Sequence, residues 1–245
     1  NCEVIALNAN LDGAKTTKTA EEFQKSMDQL SSIVRSLDAD MGFYLDAGGE
    51  KVFLFDETGE ALDGDTALNI VTLLTLKCSK ECGKKGVIAV PITASRAIDR
   101  MAEMYGYEVK RTKTTARGLM EAASEEGVLF VGEETGGYIF PQFQPDFDGM
   151  YAIVKIMEML ATHNVRLHKL LREIPPSTIL KEKVSCPFEN KGMIMRRLAE
   201  DSSKFETVLL DGIKIKFGDD WIVAYPSQDN PYFHLVAEAS TEQGA

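Results

Sequence analysis

The stretch VLFVGEETGGY, residues 128–138, decides how this chain is interpreted. Residues 128–131 are an apolar run, typical of a short buried strand. The run ends at Gly132, and two carboxylates and a hydroxyl follow it, on Glu133, Glu134 and Thr135. Open α/β sheets place their ligand sites at the ends of buried strands, and these groups can hydrogen-bond to a polyol. The same composition is also common in an ordinary polar surface turn.

Working outward from this stretch, the pattern alternates between strands and helices, which predicts an α/β fold. Residues 84–86 are polar and glycine-containing, as in a linker, and Pro175-Pro176 breaks the pattern a second time. Beyond the prolines, one helix and several short strands, with a hairpin signal at Asp211-Gly212, predict an α+β module. We expect two α/β domains with a mixed sheet between helices, residues 1–84 and 85–174, and a small α+β domain with an antiparallel sheet, residues 175–245.

Composition limits the classes of partner. The sequence has 245 residues, 44% of them hydrophobic, and a formal net charge of −11. An acidic surface argues against a nucleic-acid partner. No apolar run approaches the roughly 20 residues of a membrane span, so we expect no membrane partner. The first residue is Asn and no signal peptide is visible, which suggests a fragment of a longer protein.

The cysteines and histidines form no metal-binding pattern in the sequence. Cys78 and Cys82 are four residues apart on a predicted helix and share a face. A zinc site would need two more ligands, and none is near in sequence. We expect reduced thiols in a cytoplasmic protein, and structural or surface roles for His163, His168 and His234.

Residues 132–137 resemble the Gly-Glu-x-Ser-Gly-His sugar-recognition loop of the α-D-phosphohexomutases, the family of phosphomannomutase and phosphoglucomutase. Thr135 keeps the hydroxyl of that motif, and Gly137 replaces its histidine. The Asp-Gly pair at 148–149 also fits the family. The resemblance implies that Glu133 and Thr135 grip sugar hydroxyls.

Residues 46–51, DAGGEK, resemble the family's metal loop, Asp-Gly-Asp-Gly-Asp-Arg, in which three aspartates hold one magnesium ion. Asp46 keeps the first position, Gly48 removes the second carboxylate, and Glu50 lengthens the third. Magnesium requires near-octahedral oxygen ligands at short distances. We therefore expect Asp46 and Glu50 to be vestigial ligands, with no cofactor bound; magnesium would be the cofactor if the loop were functional. Lys51 replaces the arginine and loses its bidentate fork.

Two segments resemble phosphate-contacting parts of the family. Lys113 belongs to a basic cluster near the family's Lys-Val-Gly segment, although such a cluster can equally be a solvated face. Residues 225–231, YPSQDNP, resemble the phosphate loop Arg-Pro-Ser-Gly-Thr-Glu-Pro. Ser227 survives, but Tyr225 replaces the arginine, and Asp229 would repel a phosphate. We expect weak phosphate contacts from Lys113 and Ser227, or a structural hairpin.

Residues 92–96, ITASR, superficially resemble the family's catalytic Thr-Ala-Ser-His-Asn segment. Their position corresponds to the third domain of the family, and His-Asn does not follow. We interpret Thr93 as a helix N-cap. The resemblance places the nucleophilic serine in a first domain that this chain lacks, so we expect no catalytic residue here.

The resemblance spans nearly the whole chain and matches domains two to four of the family, with domain two lacking its own beginning. Residues 187–192 and 230–234 resemble one subgroup, in which a mutase-like region follows a sugar nucleotidyltransferase domain of the mannose-1-phosphate guanylyltransferase type. Phosphoryl transfer needs a phosphoserine, a metal, sugar contacts and a phosphate clamp together. We therefore expect a mutase-like region without mutase activity of its own. It would bind a hexose phosphate or hold a homo-oligomer together, with the upstream nucleotidyltransferase domain as its partner.

Two alternatives are open. One is an active phosphomannomutase or phosphoglucomutase whose first domain is missing from the chain. The other is a scaffold that binds no ligand, for which Glu133→Ala would change nothing except local stability.

Overall fold

The computed structural model describes residues 2–9 and 18–239. The turn predicted by the sequence at residues 10–13 lies outside these residues. Residues 2–9 form neither helix nor strand, although their apolar run is β-prone, and Val4 and Ile5 are exposed. None of the helices within the described ranges combines the length and the apolar composition that crossing a bilayer would need.

The first part of the fold is a helix on a two-stranded hairpin. Helix α1 (Ala20–Ser36) begins with a capping box between Thr19 and Glu22. Strands β1 (Gly42–Leu45) and β2 (Val52–Phe55) pair in antiparallel register. The ring of Phe23 packs edge-on against Tyr44 and Phe53 at 5.2 Å, which fixes α1 on the hairpin.

A four-stranded mixed sheet forms the centre of the molecule, in the order β4-β3-β5-β6. Strands β3, β4 and β5 are parallel, and β6 is antiparallel to β5. The elements, in chain order, are α2 (Gly64–Glu81), β3 (Val87–Pro91), α3 (Ala97–Tyr105), β4 (Glu108–Thr112), α4 (Ala116–Ala123), β5 (Val128–Gly132), β6 (Tyr138–Ile139), α5 (Gly149–His163), α6 (Leu167–Leu170) and a 3-10 turn at Leu171–Glu173.

Helices cover both faces of this sheet. Ile88 and Val90 belong to a large core shared with α2, α3 and α5, whereas Ala89 and Val131 pack with α4. Alternate residues of a strand point to opposite faces, which explains the division. The predicted mixed sheet between helices is confirmed. Helix α2 lies in the same core as β3 and as Leu54 of the hairpin.

The last part of the chain is an α+β unit whose sheet is antiparallel, as predicted, with strand order β7-β11-β10-β9-β8. Its elements are β7 (Thr178–Ser185), α7 (Phe188–Asp201), β8 (Glu206–Val208), β9 (Ile213–Phe217), β10 (Asp220–Pro226) and β11 (Tyr232–Ala239).

A buried carboxylate docks this unit on the central sheet. Glu238 of β11 accepts hydrogen bonds from the Ser95 hydroxyl (2.7 Å), the Arg96 backbone N–H (2.9 Å) and the Trp221 indole N–H (2.6 Å). Two strands of this unit and the segment between β3 and α3 therefore meet at one side chain. Because a buried carboxylate is costly to leave unpaired, these bonds hold the two units in a defined orientation.

Lys214 of β9 lies at the same interface. Its ammonium donates to the carbonyl of Ile92 (2.9 Å) and sits 3.7 Å from the centre of the Trp221 ring. Burial, together with the positive charge of Arg111, lowers the pKa of Lys214 to about 7.

Candidate functional site

The loop of the sequence motif connects β5 to β6 as a tight turn. The Glu133 backbone N–H donates to the Gly137 carbonyl (3.0 Å), and the Thr135 hydroxyl donates to the Glu133 carboxylate (2.6 Å). Glu133 and Thr135, the two predicted sugar-binding residues, are therefore in direct contact. Their assignment to a sugar ligand stays a prediction.

Glycines give this loop the space that it occupies. A Cβ on Gly137 would lie 2.6 Å from a carboxylate oxygen of Glu133. Gly137, which stands where the resembled motif has a histidine, therefore leaves room for that carboxylate. Gly136 has φ +90°, and a Cβ there would lie 2.6 Å from the Val52 carbonyl. The loop is thus packed directly against the β1–β2 hairpin.

Lys51 connects the hairpin to the loop through its side chain. Its ammonium donates to the Thr135 hydroxyl (2.7 Å) and pairs with the Glu133 carboxylate (3.2 Å). The Glu133 side chain is only 12% exposed, so this ion pair is better shielded from water than a surface pair. Burial, and to a smaller extent the charge of Glu133, raises the pKa of the neighbouring Tyr138, which stays a neutral phenol.

Lys181 reaches the other carboxylate of the loop from the small unit. Its ammonium contacts Asp65 of α2 at 2.6 Å and Glu134 at 3.9 Å. Burial raises the pKa of Asp65, and Lys181 opposes that rise. The two consecutive loop carboxylates are thus each next to a lysine, and the two lysines come from different units.

Thr93 does not cap helix α3, and this prediction is wrong. The helix begins at Ala97, whose backbone N–H is satisfied by the Ser95 hydroxyl (2.9 Å). The Thr93 hydroxyl instead donates to Glu134 at 3.3 Å. The ITASR segment therefore contributes a buried hydroxyl to the edge of the same loop.

The loop between β1 and β2 uses its aspartate for its own closure. One carboxylate oxygen of Asp46 accepts the backbone N–H groups of Glu50 (2.8 Å) and Lys51 (3.0 Å), and Glu50 is exposed. Within residues 2–9 and 18–239, no group of three His, Cys, Asp or Glu side chains is placed to hold a metal ion. The donor set at Asp46 and Glu50 therefore does not fit a three-carboxylate magnesium site.

Ser227 lines a cavity of about 230 Å³ between the small unit and the start of α4. Its lining includes two carboxylates, Asp211 and Asp229, and no lysine or arginine among the described residues. The rings of Tyr225 and His234 stack in it at 4.7 Å. Burial lowers the pKa of His234, so its imidazole is neutral at pH 7. A phosphate dianion finds little positive charge on these walls.

The cations near this cavity have other partners. Lys191 is buried behind the loop and donates to the carbonyls of Ser227 (2.5 Å) and Asn230 (2.6 Å), which shapes the loop from outside. Lys113 is exposed and does not line the cavity. Arg111 binds the carbonyls of residues 91, 94 and 95, and Arg117 pairs with Glu121. The structure does not bring the predicted phosphate residues Lys113 and Ser227 together in this cavity.

Comparison with known proteins agrees with this architecture. Residues 63–178 match the family model described as phosphoglucomutase/phosphomannomutase, alpha/beta/alpha domain III. That match includes α2, which the sequence prediction assigned to the first unit. A probable phosphoglucosamine mutase of Methanopyrus kandleri is 34% identical over 248 residues, covering 100% of this chain and 54% of the relative.

Solved structures share the fold. A phosphoglucomutase/phosphomannomutase family protein of Burkholderia thailandensis superimposes with a TM-score of 0.75 at 22% identity, covering 90% of this chain and 47% of that one. The N-acetylphosphoglucosamine mutase of Aspergillus fumigatus, solved with GlcNAc-6P and magnesium, gives a TM-score of 0.58 at 14% identity over 89% of this chain and 53% of that one.

The fold is therefore the mixed α/β architecture of the phosphohexomutases. By sequence, the chain is similar to the phosphohexomutases, through the family's third-domain model and through its phosphoglucosamine mutase relatives. The chain spans about half the length of the curated relatives that it matches.

Proposed function

We propose that this chain is the phosphomannomutase/phosphoglucomutase-like region of a sugar nucleotidyltransferase of the mannose-1-phosphate guanylyltransferase type. In this proposal it has no mutase activity of its own. Its role is to bind the sugar of a hexose phosphate or to hold a homo-oligomer together. The observation that carries the proposal is that Lys51, Glu133 and Thr135 form one hydrogen-bonded group, while the metal and phosphate loops are built differently from the resembled motifs.

Sugar binding at the loop is supported by the chemistry of this group. Glu133 offers carboxylate oxygens and Thr135 a hydroxyl, and both lie at the end of a buried parallel strand, where open α/β sheets bind ligands. Lys51 fixes the pair in place before a ligand arrives, so less side-chain freedom is lost on binding. A hexose presents the neighbouring hydroxyls that such a group can bind.

The proposed lack of phosphoryl transfer follows from the remaining parts of the site. Asp46 is already bonded to its own loop, and among the described residues no group of three His, Cys, Asp or Glu side chains that could hold a metal ion includes it. The cavity at Ser227 carries two aspartates where a phosphate would need donors and positive charge. Phosphoryl transfer requires positioning and charge stabilisation to act together. Losing both the metal ligands and the phosphate contacts should therefore lower the rate more than either loss alone.

Calorimetric titration of the chain with mannose 1-phosphate and glucose 1-phosphate, with and without magnesium, tests the proposal. We expect magnesium-independent binding that weakens about tenfold in Glu133→Ala, because a hydrogen bond to a charged group contributes roughly 1.5 kcal/mol or more. Glu121→Ala is the matched control, since Glu121 lies on α4 and its carboxylate pairs with the exposed Arg117. Binding that requires magnesium, or equal binding by the Glu133→Ala variant, would contradict the proposal.

A second candidate is an active phosphohexomutase of which this chain is the part without the nucleophile. One observation favours it. The Methanopyrus kandleri relative is named a probable phosphoglucosamine mutase, and its similarity extends over 100% of this chain. This candidate predicts that the full-length protein converts hexose 1-phosphates into 6-phosphates. The first proposal predicts transfer of a nucleotide to the sugar phosphate instead, so one assay of the full-length protein with both substrate sets separates the two.

A further inference from the structure

Three polar side chains meet where helices α2 and α5 end. The sulfur of Cys78 lies 3.2 Å from Nε2 of His163, and Nδ1 of the same imidazole lies 3.3 Å from a carboxylate oxygen of Glu81. His163 is only 10% exposed, whereas Cys78 is half-buried. Cys78 is 14 residues along α2 from Gly64, which packs on the β5–β6 loop, so the two places are about 20 Å apart along the helix.

A cavity of about 230 Å³ lies against this imidazole. Its lining residues are Lys77, Lys80, Glu81, Tyr105 and His163. Lys77 pairs with Glu173 at 2.6 Å, and the ammonium of Lys80 stands 5.2 Å from the centre of the Tyr105 ring. Because Lys77 is already paired with Glu173, the ammonium of Lys80 is the group on this wall that would attract a small molecule carrying a carboxylate.

The chemistry of the thiol depends on its neighbour. The thiolate is the reactive form of cysteine, and burial raises the pKa of Cys78, so this thiol does not ionise on its own near neutral pH. The imidazole at 3.2 Å can accept the proton on Nε2 when its own proton is on Nδ1, and the Glu81 carboxylate 3.3 Å from Nδ1 favours that tautomer. Glu81 thus orients the tautomer that the pair needs.

We propose that Cys78 is a thiol-modification site that exchanges with small disulfides carrying carboxylates, with His163 as the proton acceptor. The sulfur of Cys78 attacks one sulfur of the disulfide, the S–S bond breaks, and a mixed disulfide forms on Cys78. The departing thiolate takes the proton that His163 received. The disulfide is the oxidant, and one free thiol is released for each thiol that is consumed.

The protein supplies an internal control for the test. Cys82 lies one turn further along the same chain segment, is exposed, and has no such acceptor beside it among the contacts of the described residues. Cys186 is buried and reports whether the fold is intact. The probe is oxidised glutathione at pH 7, with bis(2-hydroxyethyl) disulfide as the uncharged comparison, and peptide mass spectrometry measures the rate at each cysteine.

We expect Cys78 to react with oxidised glutathione about tenfold faster than Cys82 despite its lower exposure, since a positioned general base raises rates by at least that factor. The uncharged disulfide should show a smaller preference for Cys78. His163→Gln should lower the Cys78 rate about tenfold and leave the Cys82 rate unchanged. Equal rates at Cys78 and Cys82 in the unmodified chain, or an unchanged Cys78 rate in His163→Gln, would overturn the proposal.

Glu81 is a positioning residue in this proposal, and a pair of variants tests it. Glu81→Gln keeps an oxygen that accepts the Nδ1–H of His163, so the Cys78 rate should stay close to that of the original chain. Glu81→Leu removes the acceptor and should lower the Cys78 rate. If His163→Gln makes Cys186 reactive, that variant has lost its fold and cannot test the proposal. The two Glu81 variants then provide the test, and equal Cys78 rates in Glu81→Gln and Glu81→Leu would overturn the proposal.

Discussion

Gly64, the first residue of α2, is packed so tightly against the β5–β6 loop that a methyl group there should be destabilising. A Cβ on Gly64 would lie 1.7 Å from the carbonyl oxygen of Glu134 and 2.8 Å from its carbonyl carbon. Both atoms belong to the backbone, so no side chain can rotate away. The helix end or the loop must therefore move by roughly 1.5 Å, and forcing such a shift in a packed region typically costs about 1–3 kcal/mol.

The matched control is another helical glycine. Gly192 lies inside α7, and a Cβ there would meet nothing within 4 Å. Alanine is preferred to glycine in a helix interior by about 1 kcal/mol, so Gly192→Ala should stabilise the protein. The same chemical change is thus expected to have opposite signs at Gly64 and Gly192.

Thermal unfolding followed by circular dichroism measures both effects. In a chain of this length, 1 kcal/mol shifts the Tm by about 2–4 °C, so a cost of about 1–3 kcal/mol in Gly64→Ala should lower the Tm by about 2–12 °C, and Gly192→Ala should raise it by about 2–4 °C. A Gly64→Ala variant that melts at or above the temperature of the original chain would refute the packing argument. We also expect this variant to bind hexose phosphates more weakly than Gly192→Ala does.

Three further predictions concern stability elsewhere in the molecule. The pKa of Lys214 is about 7 in the folded chain and its ordinary value is 10.5, so the unfolded chain binds more protons between these two pH values. The free energy of unfolding therefore increases with pH over this range because of Lys214. Lys214→Met should reduce the accompanying rise in Tm between pH 7 and pH 9. Glu238→Gln replaces one accepting oxygen with an NH2 group, which can only donate, next to N–H donors that need an acceptor. The substitution should lower the free energy of unfolding by about 2 kcal/mol and shift the fluorescence emission of Trp221, the one tryptophan in the sequence. Thr19→Ala removes the capping box of α1 and should cost about 1 kcal/mol, seen as faster hydrogen exchange in α1, while Thr19→Ser should leave the exchange slow.

The helices and strands could be predicted from the sequence because their signals are local. The capping box at Thr19, the glycine at Gly106 with φ +80°, and the apolar periods of α5 all depend on residues within a few positions of one another. The same applies to the contact between Glu133 and Thr135, which are two residues apart.

The rest of the site depends on contacts across long stretches of chain. Lys51 and Thr135 are 84 residues apart, and Lys181 and Asp65 are 116 apart. No periodicity or spacing in one sequence reports such pairs. Thr93 was misassigned for a related reason: a local rule favoured a cap, while the packed fold placed its hydroxyl next to Glu134, 41 residues away.

The pairing of Glu133 with Lys51 and of Glu134 with Lys181 limits how this architecture can be recombined. Each carboxylate of the loop has a counter-charge that another unit of the fold supplies. Consider a chimera that takes its central sheet from one relative and its hairpin or small unit from another. The glutamates of its β5–β6 loop would then lack the lysines that pair with them here. Each of the three units has its own topology, but the charged side chains between them must match. The two lysines and the two glutamates of these pairs should therefore be inherited together.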